Sequence, residues 1–120
     1  MSKIETKIGF VGLGNMGLPM ANNLKAAGYN VVGFDVSNTA RASASGGGLE
    51  IAHDMKAVAH DADIVVTMLP NGKIAKSVAQ ELLSVMNENS LLIDCSTIDV
   101  ASARDIHDMA TKAHKYCLDA

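Results

Sequence analysis

The stretch Lys7–Asp35, KIGFVGLGNMGLPMANNLKAAGYNVVGFD, decides the fold. Lys7–Val11 is a short apolar run suited to a buried strand, and Gly12, Gly14 and Gly17 follow as G-x-G-x-x-G. Leu18, Met20, Ala21, Leu24 and Ala27 then repeat with helical spacing until Gly28 stops the pattern, and a second apolar run, Val31–Phe34, ends in Asp35. Strand, glycine turn, helix, strand and acid stand in the order of a dinucleotide-binding fingerprint. Each part has a physical task. Gly12 allows a sharp exit from the first strand, Gly14 lets the backbone approach a pyrophosphate, and Gly17 lets the helix pack closely on the strand. The helix N-terminus offers unpaired N–H groups and partial positive charge to phosphates. Asp35 lies 18 residues after Gly17, close to the spacing of about 20 expected for the acid that accepts from the adenosine ribose hydroxyls. Such a carboxylate repels the extra phosphate of NADP, and Val36, Ser37 and Asn38 follow it with no arginine among them. The expected cofactor is therefore NAD in preference to NADP. A bare glycine motif also arises for packing alone; the elements in register around it carry the functional reading.

The bulk composition agrees. The 120 residues are 48% hydrophobic with a formal net charge of −3, which fits one domain able to bury a core without disulfides. Nothing basic points to nucleic acid, and aromatic residues are too few for base stacking. No apolar run approaches the roughly 20 residues that span a bilayer, and MSKIETK lacks the apolar core of a signal peptide. Cys95 and Cys117 have neither metal nor redox spacing, so reduced thiols in a cytoplasmic setting are expected. No transit peptide is visible, since the first strand starts at once.

Farther along the chain, strand and helix keep alternating. The first helix is expected from about Asn15 to Ala27, with Pro19 tolerated in or near its first turn. Ser37 is a plausible N-cap for a short helix through Ala44, and Asp54 for another from Met55 to about His60. Gly46–Gly48 reads as a flexible connection rather than a phosphate loop, since no Lys-Ser/Thr follows. Ile64–Met68 reads as a strand ending in Leu69-Pro70-Asn71-Gly72. Ligands of open α/β sheets bind beyond the carboxyl ends of strands, which places the backbone of Met68, Leu69, Pro70 and Asn71 near the cofactor; an ordinary strand-to-helix turn explains them equally well. Lys73–Val85 is an amphipathic helix with Ile74, Val78, Leu82 and Val85 on one side. Leu91–Asp94 is a strand followed by Cys95-Ser96-Thr97, whose hydroxyls either meet a ligand or cap the next helix, a task Asp99 can also perform. Val100–Lys115 is helical and Tyr116–Asp119 starts another strand. The fold class that follows is α/β, a Rossmann-type doubly wound, mostly parallel sheet with helices on both faces. Residues 1–120 form one dinucleotide-binding domain, with its pocket at the switch point between the first and fourth strands.

Other chemistry finds little footing. His107, His114 and Cys117 lack the spacing of zinc helices, so no metal is expected. His53 and His60 read as surface residues. Met20, Met68 and Met109 read as core positions, while Met16, inside the glycine turn, is placed to line the nicotinamide pocket. No nucleophile elbow, Walker loop or paired carboxylates are present.

Gly9–Leu24, GFVGLGNMGLPMANNL, resembles the N-terminal signature of the β-hydroxyacid dehydrogenases, which include 3-hydroxyisobutyrate dehydrogenase and tartronate semialdehyde reductase. Val65–Asn71 (VVTMLPN) and Ile93–Thr97 (IDCST) agree, and Leu118-Asp119-Ala120 is similar to the strand that leads into that family's substrate loop. The resemblance implies NAD(P)-dependent oxidation of a short 3-hydroxy acid to its semialdehyde, or the reverse. It implies that Gly12, Leu13, Gly14, Asn15, Met16 and Gly17 hold the pyrophosphate, Asp35 the ribose, and Met68, Leu69, Pro70 and Asn71 the far side of the cofactor. Ser96 would meet the substrate and Thr97 the nicotinamide end. Val100 departs from the proline common just after that motif. Family members also carry a glycine loop, a catalytic lysine and an all-helical second domain, for which this chain has no counterpart; Lys112 and Lys115 are poor substitutes. The chain is thus expected to bind NAD weakly, to catalyse little, and to self-associate through uncovered apolar surface or to dock the absent domain. Two functions stay open at this stage: a piece of an oxidoreductase, or a stand-alone NAD-binding sensor or scaffold.

Overall fold

Strand and helix alternate as the hydrophobic pattern predicts. The computed structural model describes residues 5–96 and 98–119. In chain order these form β1 (Lys7–Val11), α1 (Gly17–Ala26), β2 (Asn30–Phe34), α2 (Asn38–Gly46), β3 (Glu50–Ile51), α3 (Met55–Ala59), β4 (Ile64–Thr67), α4 (Gly72–Leu83), β5 (Leu91–Asp94), α5 (Val100–Lys112) and β6 (Tyr116–Asp119). The strands make one sheet in the order β3-β2-β1-β4-β5-β6, and every adjacent pair is parallel. The order reverses between β1 and β4, so the two neighbouring connections leave to opposite sides and open a crevice at the carboxyl edge.

Alternation along the strands feeds two cores. Ile8, Phe10, Val31 and Val66 pack with Ala21 of α1 and Ala44 of α2 on one face. Val11, Val65 and Leu92 pack with Val58 of α3, Leu82 of α4 and Ile106 of α5 on the other. Phe10, Leu82, Leu92 and Val58 are completely buried, each worth roughly 1.5–3 kcal/mol of burial. Tyr116 and Leu118 stay exposed on the edge strand β6.

Several boundaries move for local reasons. α1 begins at Gly17 rather than Asn15 because residues 14–16 still belong to the turn, with Met16 at the N-cap. Pro19 accordingly falls in the first turn. Ser37 does cap α2, accepting from Ala40 N–H at 3.2 Å, and Asp54 caps α3 through Ala57 N–H at 2.8 Å. The two-residue β3 has no signal of its own; it forms by pairing with Val32 and Gly33. Gly46–Gly48 is no loose connection. Gly46 ends α2, Gly47 is its C-cap, and Gly48 turns left-handed at φ +98°. Gly48 N–H then bonds Ser45 O and Leu49 N–H bonds Ala44 O, the paired bonds of a Schellman stop.

The same stop ends α1 at Gly28, and it ends α5 at His114, where Lys115 N–H bonds Ala110 O at 2.9 Å. His114 adopts φ +60°, a conformation that costs an L-residue about 1–2 kcal/mol. Gly removes that cost but loses more backbone entropy on folding, about 0.5–1 kcal/mol. His114→Gly is therefore expected to stabilise the chain by up to about 1 kcal/mol, measured as a higher midpoint in urea; an unchanged or lower midpoint would show that the histidine ring contributes packing that outweighs the strain.

Candidate functional site

The glycine turn fills the switch point. Gly12 leaves β1 at φ +104°, and its N–H donates to Phe34 O at 3.0 Å, tying the turn to the end of β2. A Cβ on Gly12 would collide with the Met68 carbonyl, and one on Gly17 with the Gly12 carbonyl. A Cβ on Gly14 would meet nothing within 4 Å. Two of the three glycines are thus required by the fold, whereas Gly14 faces open space where a ligand backbone could lie.

That space is a cavity of about 430 Å³ lined by Gly12, Gly14, Asn15, Met16, Gly17, Asp35, Val36, Met68, Leu69, Pro70 and Ile74. Residues 12–17, Asp35 and residues 68–70, drawn from three separate strand ends, therefore meet in one crevice, with Leu13 as the exception. Met16, Val36 and Ile74 are exposed apolar side chains, all three on its walls, where a planar ring can displace water. A second cavity of about 640 Å³ adjoins it through Gly14 and Asn15 and extends past Leu13 to Ser37, Thr39 and Ser43.

Asp35 has a structural duty as well. Its carboxylate accepts from Leu13 N–H and Ser37 N–H, each at 2.8 Å, so it braces the glycine turn against the start of α2. Each oxygen keeps a further lone pair for a ribose hydroxyl. Leu13 itself is buried and contributes its N–H to this brace rather than a surface to the first cavity. Arg41, which drew no notice in the sequence, donates to the Asp35 carbonyl at 2.7 Å and to the Asn38 side chain, with its guanidinium 5.4 Å from the centre of the Phe34 ring. Helical spacing from Ser37 brings this cation back to the end of β2, a proximity that residues 36–38 alone do not reveal.

Across the crevice, Asn71 turns its side chain toward α4. Its side chain accepts from Ile74 N–H at 3.0 Å and caps α4, and it lines neither cavity. Ile74, read from periodicity as part of the buried stripe of α4, sits in the first turn beyond the sheet edge and lines the crevice instead. Ser96 is buried, and its Oγ accepts from Leu69 N–H at 2.7 Å; it lines neither of the two cavities. Thr97 lies outside the described residues. Burial, then the charge of Asp94, pushes the Cys95 thiol up, which keeps it protonated near neutral pH. Lys112 ends α5. Since α5 starts at the carboxyl edge and runs back antiparallel to the strands, Lys112 and Lys115 lie at the opposite edge of the sheet from the crevice. No lysine, histidine or tyrosine lines either cavity. Among the described residues no helix is long and apolar enough to cross a membrane, and no group of three His, Cys, Asp or Glu side chains could hold a metal ion.

A parallel sheet of this order, with a glycine turn opening on its switch point and an acid at the end of β2, defines an NAD(P)-binding domain. The chain belongs to the family described as the NAD binding domain of 6-phosphogluconate dehydrogenase, whose family model matches residues 7–120. It is 40% identical over 115 residues to a probable 3-hydroxyisobutyrate dehydrogenase of Mycobacterium tuberculosis, covering 96% of this chain and 39% of that protein. It is 39% identical over 119 residues to human mitochondrial 3-hydroxyisobutyrate dehydrogenase, covering 97% of this chain and 35% of the relative. The solved M. tuberculosis 3-hydroxyisobutyrate dehydrogenase with L-serine superposes with a TM-score of 0.93 over 96% of this chain and 40% of that one. The chain thus spans little more than a third of the relatives it matches. An imine reductase from Myxococcus stipitatus in complex with NADP+, at 18% identity and a TM-score of 0.84 over 95% of this chain and 39% of that one, shares the fold alone.

Proposed function

We propose that this chain is the cofactor domain of an NAD-dependent oxidoreductase that interconverts a short 3-hydroxy acid, of the 3-hydroxyisobutyrate kind, and its semialdehyde. The observation that carries the cofactor reading is the open space over Gly14, beside two glycines that the fold itself requires. Backbone left bare of a side chain there lets a pyrophosphate approach the turn closely. The turn at residues 12–17 would hold the phosphates at the start of α1, Asp35 would accept from the ribose hydroxyls with Val36 beside it, and Met16, Pro70 and Ile74 would exclude water from the rest of the cofactor. NAD, when bound, supplies the hydride acceptor. The substrate class comes from the relatives' names, and those names favour an oxidoreductase over a sensor.

Neither cavity holds a lysine or histidine able to exchange a proton with a substrate oxygen, so turnover by this chain alone is expected to be very slow. We also propose a cytoplasmic setting, a reducing compartment that suits two cysteines with neither metal nor redox spacing. Calorimetric titration with NADH and NADPH in parallel tests the reading. Saturable NADH binding, tighter than NADPH binding, is the expected result. Failure of both to bind would remove the cofactor function, and tighter NADPH binding would remove the selective role of Asp35.

A further inference from the structure

A buried carboxylate lies behind the crevice with no part in the function proposed above. Asp94, at the end of β5, is 2% exposed. Its Oδ1 accepts from Thr67 Oγ1 at 2.9 Å and from Ser96 N–H at 3.1 Å, and its Oδ2 is buried with no partner among the described residues. The contacts continue outward. Ser96 Oγ accepts from Leu69 N–H at 2.7 Å. Cys95 N–H bonds Thr67 O at 2.8 Å, and Met68 N–H bonds Val11 O at 2.9 Å. The Met68 carbonyl is the atom against which Gly12 makes its turn. A continuous run of contacts therefore leads from the buried carboxylate, through Ser96 and residues 67–69, to the phosphate turn.

We propose that Asp94 is a positioning residue for the dinucleotide: with Thr67 and Ser96 it clamps the loop after β4, so that residues 68–70 are held at a fixed distance from the glycine turn. Burying a carboxylate is unfavourable unless it is hydrogen-bonded. An apolar side chain at position 94 would avoid that cost, but would leave Thr67 Oγ1 and Ser96 N–H without their acceptor. The clamp gives the cost a purpose: the pocket wall is set before the ligand arrives, and less ordering remains for binding to drive. The clamp acts on the side of the crevice away from Asp35, so it should govern the part of the ligand beyond the adenosine.

This inference rests on the dinucleotide reading, and the experiment separates the two. Wild type, Asp94→Ala and Ser96→Ala are titrated with NADH and, by NMR, with AMP, which lacks the pyrophosphate and the nicotinamide. Each substitution is expected to weaken NADH binding about fivefold, the worth of roughly one net hydrogen bond, and to leave AMP binding unchanged. Asp94→Ala removes the one oxygen that accepts from both Thr67 and Ser96, and Ser96→Ala supplies a second reading if that variant does not fold. Equal losses for NADH and AMP would show general loosening and overturn the proposal, as would NADH affinities equal to wild type. Absence of NADH binding by wild type would overturn the dinucleotide reading and this inference with it.

Discussion

Gly17→Ala is expected to lower the thermal midpoint of the chain by roughly 10 °C and to abolish NADH binding, whereas Gly14→Ala is expected to keep or slightly raise the midpoint while losing at least about tenfold in affinity, ~1.4 kcal/mol. The two glycines stand three residues apart in one motif, yet they answer to different constraints. At Gly17 the added methyl meets the Gly12 carbonyl, with a Phe10 ring carbon 3.3 Å away on the other side. Alanine in the first turn of α1 would gain up to about 1 kcal/mol from propensity. The clash is with backbone and cannot be relieved by a rotamer, so overpacking of about 2–3 kcal/mol wins. Moving either backbone segment also displaces the turn that holds the phosphates. At Gly14 the methyl meets no protein atom within 4 Å and the backbone is not left-handed, so alanine gains about 0.4–1 kcal/mol through the unfolded state. Its cost appears once a pyrophosphate is present. Differential scanning calorimetry and NADH titration on both variants check the pair. A stable Gly14→Ala that binds NADH like wild type would remove the phosphate from this turn.

What the sequence discloses is whatever local physics dictates. The glycine at φ +104° after β1, the caps Ser37 and Asp54 and the alternation of strands with helices follow from conformational and periodic preferences acting over a few residues. What it conceals depends on partners distant in the chain. β3 exists because Val32 and Gly33 offer an edge to two residues. Ile74 keeps its place in the apolar stripe of α4, but in the first turn of that helix the stripe meets the crevice rather than the core. Asn71 and Ser96 stand at strand ends, and their side-chain oxygens accept the N–H groups of Ile74 and Leu69, donors that helix starts and loops must satisfy somewhere. Arg41 returns to Asp35 through one turn of helix, a proximity that a residue-by-residue reading after the acid does not reach.

That return of Arg41 sharpens the largest prediction about selectivity. Asp35→Asn is expected to weaken NADH binding about tenfold, from the loss of charged hydrogen bonds worth roughly 1.5–3 kcal/mol, and to weaken NADPH binding far less. The carboxylate does two things that the amide cannot do together. Both oxygens accept from backbone, Leu13 N–H on one and Ser37 N–H on the other; the amide has one oxygen, and its NH2 group would face a donor. That loss loosens the turn for either cofactor. The carboxylate also repels a 2′-phosphate, by about 1 kcal/mol per unit charge pair at 4 Å in water and by more in a half-buried crevice. Its removal favours NADPH alone. The two effects oppose each other for NADPH, whereas NADH feels only the first, so the ratio of NADPH to NADH dissociation constants should fall about tenfold, ~1.4 kcal/mol. The wild-type preference should also shrink as salt is raised, since screening weakens the repulsion. Arg41 supplies the control. Its guanidinium is held at the Asp35 carbonyl, close enough to meet a 2′-phosphate once the carboxylate charge is gone. Adding Arg41→Ala to Asp35→Asn should therefore reverse the relative gain in NADPH binding and change NADH binding little. A ratio that Asp35→Asn leaves unchanged would mean that the acid serves the turn and not the choice of cofactor.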